Sequence, residues 1–157
     1  MNFVLWNILL AILWVLATGH FTPANMAAGY LLGFLVLWFA RRALGPARYF
    51  VRAWRAVCLL AYFLKELVIA NFRVAHDVVT PAFYMRPALI PIPLDASTDA
   101  EITLLAGMVT LTPGTLSVDV SPDRKTLLIH AMFGENPEEV RRSIKNGFER
   151  RILEILR

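Results

Sequence analysis

Hydrophobic and polar positions divide the chain into three stretches of different periodicity. The first, Met1 to Ala40, contains no Asp, Glu, Lys or Arg. A helix crosses the hydrocarbon of a bilayer with about 20 residues, so forty uncharged residues are too many for one crossing. Thr18-Gly19-His20-Phe21-Thr22-Pro23 interrupts them. Gly19 suits a helix C-terminal turn, and Pro23 suits the first turn of the next helix. The pattern predicts two short spans, 3–17 and 24–40, joined by a tight turn. A cleaved signal peptide fits the first poorly, because it lacks a positive n-region and a second apolar run follows at once.

Gly45-Pro46 restarts the chain, and 49–79 reads as one long helix without internal Gly or Pro, closed by Pro81. Its longest uncharged run, Ala56 to Leu64, is nine residues. At about 100° per residue, Arg48, Arg52, Arg55, Glu66, Arg73 and Asp77 fall within an arc of about 60°. Lys65 and His76 lie outside that arc. A narrow polar stripe on an apolar helix predicts an element lying in the membrane interface or packed along partner subunits. The alternative is a third crossing with Lys65 and Glu66 inside a subunit bundle. That would put the C-terminal region outside and make these two residues proton-handling candidates.

After Thr80-Pro81 the pattern becomes that of a small α/β unit. Ala88 to Leu94 is extended, and Pro91 and Pro93 lack donors on one edge, which predicts a border strand. Thr98-x-x-Glu101 is a capping box opening a helix over Ile102, Leu104, Leu105, Met108 and Val109. Pro113-Gly114 supplies a type II turn. Leu116 to Val120 alternates as a half-buried strand, Ser121 to Lys125 turns, and Thr126 to Met132 returns. Asn136-Pro137-Glu138-Glu139 starts a final helix, with Val140, Ile144, Phe148, Ile152 and Ile155 as its apolar stripe. The expected fold class is therefore a membrane protein of three parts. These are a two-helix transmembrane hairpin (1–44), an amphipathic helix (45–80) and a small β-α-β-β-α domain (81–157). A core of that size is marginal, so docking on a membrane or partner would help it.

Composition supports lipid contact: 57% of the residues are hydrophobic and 18% charged, against about half and a quarter in soluble domains. The charge is also segregated. Sixteen Lys and Arg oppose twelve Asp and Glu, but Arg41, Arg42, Arg48, Arg52 and Arg55 form an acid-free block directly after the apolar stretch. Nucleic-acid binding predicts bases spread over a folded face instead. A juxtamembrane block follows the positive-inside rule and attracts anionic lipid heads. It puts the N-terminus and the C-terminal domain in the cytoplasm, with His20 outside. Gly29-x-x-x-Gly33 in the second span offers a small-residue face for close helix packing. Trp38 reads as an interfacial anchor.

Site chemistry is sparse. Cys58 is the single cysteine, and His20, His76 and His130 are far apart, so no metal or disulfide framework is expected. A hairpin over these strands can set Asp119 and His130 facing each other, with Ser117 or Ser121 nearby, but they are better read as polar residues of a half-exposed hairpin than as a triad, because no oxyanion loop accompanies them. Leu-Thr-Pro-Gly-Thr lacks phosphate-loop spacing. Arg141, Arg142, Lys145, Arg150 and Arg151 form a solvated face or one that meets an acidic partner or lipid heads. No catalytic, cofactor-binding or metal residue is assigned, and no small-molecule substrate. Neither span carries a carboxylate or Lys of the kind that intramembrane proton relays need.

Several segments, in order along nearly the whole chain, carry a family resemblance. They are Asn7-Ile8-Leu9-Leu10-Ala11-Ile12-Leu13-Trp14, Pro91-Ile92-Pro93-Leu94, Thr110-Leu111-Thr112-Pro113-Gly114-Thr115, Val118-Asp119-Val120-Ser121-Pro122-Asp123 and Gly147-Phe148-Glu149-Arg150-Arg151-Ile152. With these the chain resembles the E-type subunits of the multisubunit cation/proton antiporters known as Mrp, Mnh or Pha. The resemblance implies a bacterial plasma-membrane assembly exchanging cytoplasmic Na+, or K+, for external protons, with the ion path in its large subunits. It implies an accessory or assembly role in which the partners are the other subunits and the bilayer, and it assigns no catalytic residue. The competing expectation is a membrane-tethered adaptor whose α/β domain binds a soluble partner.

Overall fold

The computed structural model describes residues 3–44, 48–80 and 85–157, and the chain divides into two compact units, Met1–Trp54 and Arg55–Arg157. The division falls inside the long helix rather than at either of its ends.

The first unit contains α1 (Phe3–Thr18), α2 (Pro23–Leu44) and the opening turns of α3 (Arg48–Val79). Gly19, at φ +67°, ends α1, and its N–H donates to the Val15 carbonyl at 3.0 Å. A left-handed residue here costs least when it is glycine. The Asn25 N–H donates to Thr22 Oγ1 at 3.2 Å, so Thr22 caps α2 directly ahead of Pro23. Phe3, Asn7, Ala11 and Val15, four residues apart, make the buried face of α1. Leu5, Leu13, Leu16, Leu31 and Phe39 remain exposed. Among the described residues one helix, over Pro23–Ala40, is long and apolar enough to cross a membrane; α1 is apolar but shorter. Phe3, Leu37 and Phe50 form this unit's buried cluster, with Leu10, Phe34 and Tyr49 against it.

The second unit holds the rest of α3, β1 (Ala88–Pro93), α4 (Asp99–Leu111), β2 (Thr115–Val120), β3 (Thr126–Ala131), α5 (Pro137–Ile144), a π-helical segment (Lys145–Glu149) and α6 (Arg150–Leu156). The three strands form an antiparallel sheet in the order β1-β3-β2. Its inner face supplies Ile90, Ile92, Leu127, Ile129 and Ala131 to a core completed by Leu105 and Val109 of α4, and by Ile144, Phe148 and Ile152. Alternation leaves Leu89 and Leu116 exposed on the other face.

β1 is an edge strand, as its two prolines require. The outward carbonyls of Pro91 and Pro93 accept from Arg141 Nε at 2.9 Å and Lys145 Nζ at 2.8 Å, which blunts the free edge. Two features depart from the sequence reading. The last helix is not uniform. Its π-helical turn is wider than an α turn and buries the consecutive residues Gly147, Phe148 and Glu149. A register shift between Ser117 and Asp119 sets Asp119 opposite Leu128, whereas His130 pairs with Leu89 and Leu116. Asp119 and His130 are therefore not cross-strand neighbours.

Candidate functional site

The hairpin contact is built on small residues. A Cβ on Gly29 would stand 2.9 Å from Trp14 Cδ1, and one on Gly33 would stand 2.5 Å from Asn7 Oδ1 and 3.0 Å from Leu10 Cβ. As the α2 number rises the α1 number falls, so the helices are antiparallel and the Gly29/Gly33 face is filled by α1. At the turn, the Asn25 amide donates to Thr18 Oγ1 (2.7 Å) and the His20 carbonyl (2.8 Å), and its Oδ1 accepts from Trp14 Nε1 at 3.0 Å. Near the other end, Asn7 is fully buried and its Nδ2 donates to the Tyr49 hydroxyl at 3.0 Å. That hydroxyl also lies 3.0 Å from the Tyr30 hydroxyl. These uncharged links tie the start of α3 to the hairpin, and interhelical hydrogen bonds of this kind hold helices together in lipid.

The basic block is spread along the chain. Arg41 and Arg42 fall in the last turns of α2 and Arg48 opens α3, with their side chains outside the described residues. Arg52 and Arg55 are exposed. Arg55 Nη1 donates to the Glu154 carbonyl, which draws one base of the block to the C-terminal helix.

From Arg55 onward, α3 is seated on the α/β unit. Leu59 is buried in its core, with Tyr62 and Phe63 packed against it. Tyr62 meets Phe148 edge-on at 5.3 Å, and the Arg151 guanidinium lies 3.9 Å from the Tyr62 ring centroid, a cation–π distance. A Cβ on Gly147 would come within 2.5 Å of the Tyr62 hydroxyl, so glycine is what lets the two helices approach. The polar stripe of α3 shares the helix face that carries Leu59, whereas Val57, Leu64, Val68, Phe72 and Val79 are exposed. Lys65 and Glu66 form an ion pair at 3.3 Å, with Lys65 largely exposed and Glu66 about three-quarters buried.

A cluster of charges fixes the connection between β1 and α4. Glu149, almost fully buried, accepts the backbone N–H groups of Asp95 (2.6 Å) and Ala96 (2.9 Å), and Lys145 Nζ pairs with its other oxygen at 2.9 Å. Burial alone would lower the Lys145 pKa, but its bonds to Asp95 and Glu149 outweigh this and raise it. Glu101 closes the capping box with Thr98. The Arg157 guanidinium beside it, with the backbone N–H groups of Ser97 and Thr98, holds its carboxyl down at about 2. The sequence reading found the capping box and missed Glu149 and Arg157. For Glu149 the i,i+4 spacing with Lys145 was a local signal, but it does not show which distant amides the carboxylate accepts.

Between α3 and the sheet's β2/α5 end lies a cleft of about 650 Å³, lined in part by Glu66, Arg73, Gly114, Phe133, Glu135 and Glu139. Thr112-Pro113-Gly114-Thr115 forms one wall. Gly114 has φ +87° and the Thr115 N–H donates to the Thr112 carbonyl at 3.1 Å, as the Pro-Gly turn requires. The hairpin polar residues assemble no triad. Ser117 Oγ donates to the Ala106 carbonyl, Ser121 Oγ donates to Asp123, and Asp119 Oδ1 accepts from the Val120 N–H. Among the described residues no group of three His, Cys, Asp or Glu is placed to hold a metal.

These features are those of a chain with apolar helices, one of them long and apolar enough to cross a membrane, followed by a small α/β unit. The family described as Na+/H+ ion antiporter subunit matches residues 7–155, and the chain belongs to it. The chain is 38% identical over 152 residues to the E-type Na(+)/H(+) antiporter subunit of Alkalihalophilus pseudofirmus, covering 97% of this chain and 96% of that protein. It is 37% identical over 154 residues to the E-type Na(+)/H(+) antiporter subunit of Bacillus subtilis, covering 98% of each. Among solved structures, a chain of the Mrp complex from Dietzia sp. DQ12-45-1b shares the fold, with TM-score 0.51, 24% identity and coverage of 66% of this chain and 96% of that one. A chain of the membrane-bound sulfane sulfur reductase, an archaeal respiratory membrane complex, gives TM-score 0.50 at 25% identity, covering 82% and 81%.

Proposed function

We propose that this chain is an accessory subunit of a multisubunit bacterial antiporter exchanging cytoplasmic Na+ or K+ for external H+, and that the cations travel through its neighbours. The observation carrying this is the absence of Asp, Glu, Lys and Arg from Met1 to Ala40, together with hairpin contacts made by Gly, Asn, Trp and Tyr. An intramembrane cation or proton route needs ionisable groups that bind and release charge. The partners are the other antiporter subunits and the bilayer, and the location is the bacterial plasma membrane.

In this reading α1 and α2 cross the membrane as a hairpin, and Arg41, Arg42, Arg48, Arg52 and Arg55 hold their end at the cytoplasmic surface. The α/β unit is cytoplasmic. The exposed apolar face of α3, opposite the stripe that includes Glu66, supports placement along the interface rather than across it. Lys65 and Glu66 then act as a surface pair, not as proton carriers.

The test is deletion of the chain from its host, followed by Na+/H+ exchange in vesicles and recovery of the remaining complex. An accessory assembly role predicts loss of both. Loss of exchange from a complex that stays intact would contradict it and turn attention to Lys65 and Glu66.

A further inference from the structure

The cleft under α3 has no part in the proposed function, and its chemistry is selective. Its floor is apolar: Val109, Ala131, Ile144 and Phe148 reach it. Among the described residues its charged lining is three carboxylates, Glu66, Glu135 and Glu139, and one guanidinium, that of Arg73, which lies 5.6 Å from the Phe133 ring centroid.

Several of its hydroxyl and amide donors are already used within the fold. Thr112 Oγ1 donates to the Met108 carbonyl at 2.8 Å and Thr115 Oγ1 to the Val109 carbonyl at 2.6 Å. The Glu139 N–H at the start of α5 is capped by Asn136 Oδ1 at 3.4 Å. The volume lies within the range of about 300–1,000 Å³ typical of ligand sites, enough for a few side chains.

We propose that this cleft seats a short segment of another antiporter subunit presenting an arginine or lysine flanked by apolar residues. The apolar flank covers the floor, and the cation sits between Glu135 and Glu139 on one rim and Glu66 on the other. Removing apolar surface from water supplies the affinity, and the carboxylates select the sign of the partner. The pair Lys65–Glu66 is compatible with this, since its solvent-exposed lysine can yield the carboxylate to a less hydrated guanidinium. The proposal rests on membership of a multisubunit complex.

The experiment places a benzophenone photo-crosslinking residue at Ser143, inside the cleft, in the full chain within its assembled complex. The same residue at Leu89, on the outer sheet face, is the control. The expected result is a crosslink from position 143, and not from 89, to a peptide of another subunit that contains Arg or Lys. Its yield falls about tenfold or more in the Glu135→Lys, Glu139→Lys variant. Should that variant not assemble, Glu135→Gln with Glu139→Gln keeps the shape and must still lower the yield. Crosslinks confined to this chain or to lipid, a partner peptide without a base, or a yield unmoved by either variant overturn the proposal while leaving the accessory role intact. Recovery of the chain without any other subunit overturns both.

Discussion

Gly147 lets α3 and the π-helical turn pack closely, because the Tyr62 hydroxyl occupies the space of its absent side chain. Gly147→Ala forces an overpacked contact in a seam that has no slack, at a cost of about 1–3 kcal/mol. Thermal unfolding of the detergent-purified chain measures it, and adding Tyr62→Phe, which removes the colliding oxygen, restores part of the loss. Glu101 gives a pH signature. Its folded pKa, about 2, lies below its ordinary value of 4.5, so the unfolded state takes up protons first as pH falls. The stability it contributes is complete above pH 4.5 and disappears as pH falls toward 2. In Glu101→Gln the unfolding midpoint loses that part of its acid dependence; an unchanged acid profile would mean Arg157 does not hold this carboxylate in solution.

Local chemistry made several of these residues legible from sequence. Gly19, Pro23, Thr98 with Glu101, and Asn136-Pro137 carry conformational preferences that neighbouring residues suffice to express. Glu149 was not legible, since the amides it accepts belong to residues 53 and 54 positions away. Gly147 was not legible either, for its neighbour Tyr62 is remote in the chain.

Helices and strands followed their periodicities, and the departures come from tertiary demands on an otherwise regular element. The π-helical turn turns Gly147 to Tyr62 and Glu149 to the β1–α4 connection at once. The shift at Ser117/Asp119 came from strand pairing, which alternation alone does not reveal. For α3 the polar stripe was visible, but its role was not. From Arg55 onward the stripe lies on the face that meets the α/β unit, so Leu59 completes a core whose other members start at Ile90. A fragment beginning at Arg55 should therefore unfold cooperatively, while one beginning at Ala88 loses Leu59, Tyr62 and Phe63 and leaves Phe148 uncovered. Truncating a buried Leu alone costs about 2–5 kcal/mol, a large share of a small domain's stability. Chemical denaturation with circular dichroism compares the two; equal stability would mean α3 is not part of this folding unit. In the hairpin, Gly33→Leu drives side-chain volume into Asn7 and Leu10 and should separate α1 from α2. A disulfide between cysteines placed at Trp14 and Gly29, in a Cys58→Ser background, forms readily in the parent and should form poorly in the variant.

At the scale of the whole molecule, sidedness and transport are linked. An interfacial α3 leaves the α/β unit on the cytoplasmic side with the arginine block, whereas a crossing α3 carries it outside. A cysteine at the exposed Asp123 turn, again with Cys58→Ser, should react with a membrane-impermeant thiol reagent in inverted vesicles and stay protected in intact cells. The opposite labelling makes α3 a third span and returns Lys65 and Glu66 to the membrane interior. The central claim is that this polypeptide supports a transport path it does not itself contain. Reconstituting the purified chain alone into liposomes, and following internal pH under an imposed Na+ gradient, tests it most directly. The expected result is a proton leak equal to that of empty liposomes, with exchange seen only for the complete complex. Sodium-dependent pH change with the lone chain would contradict it.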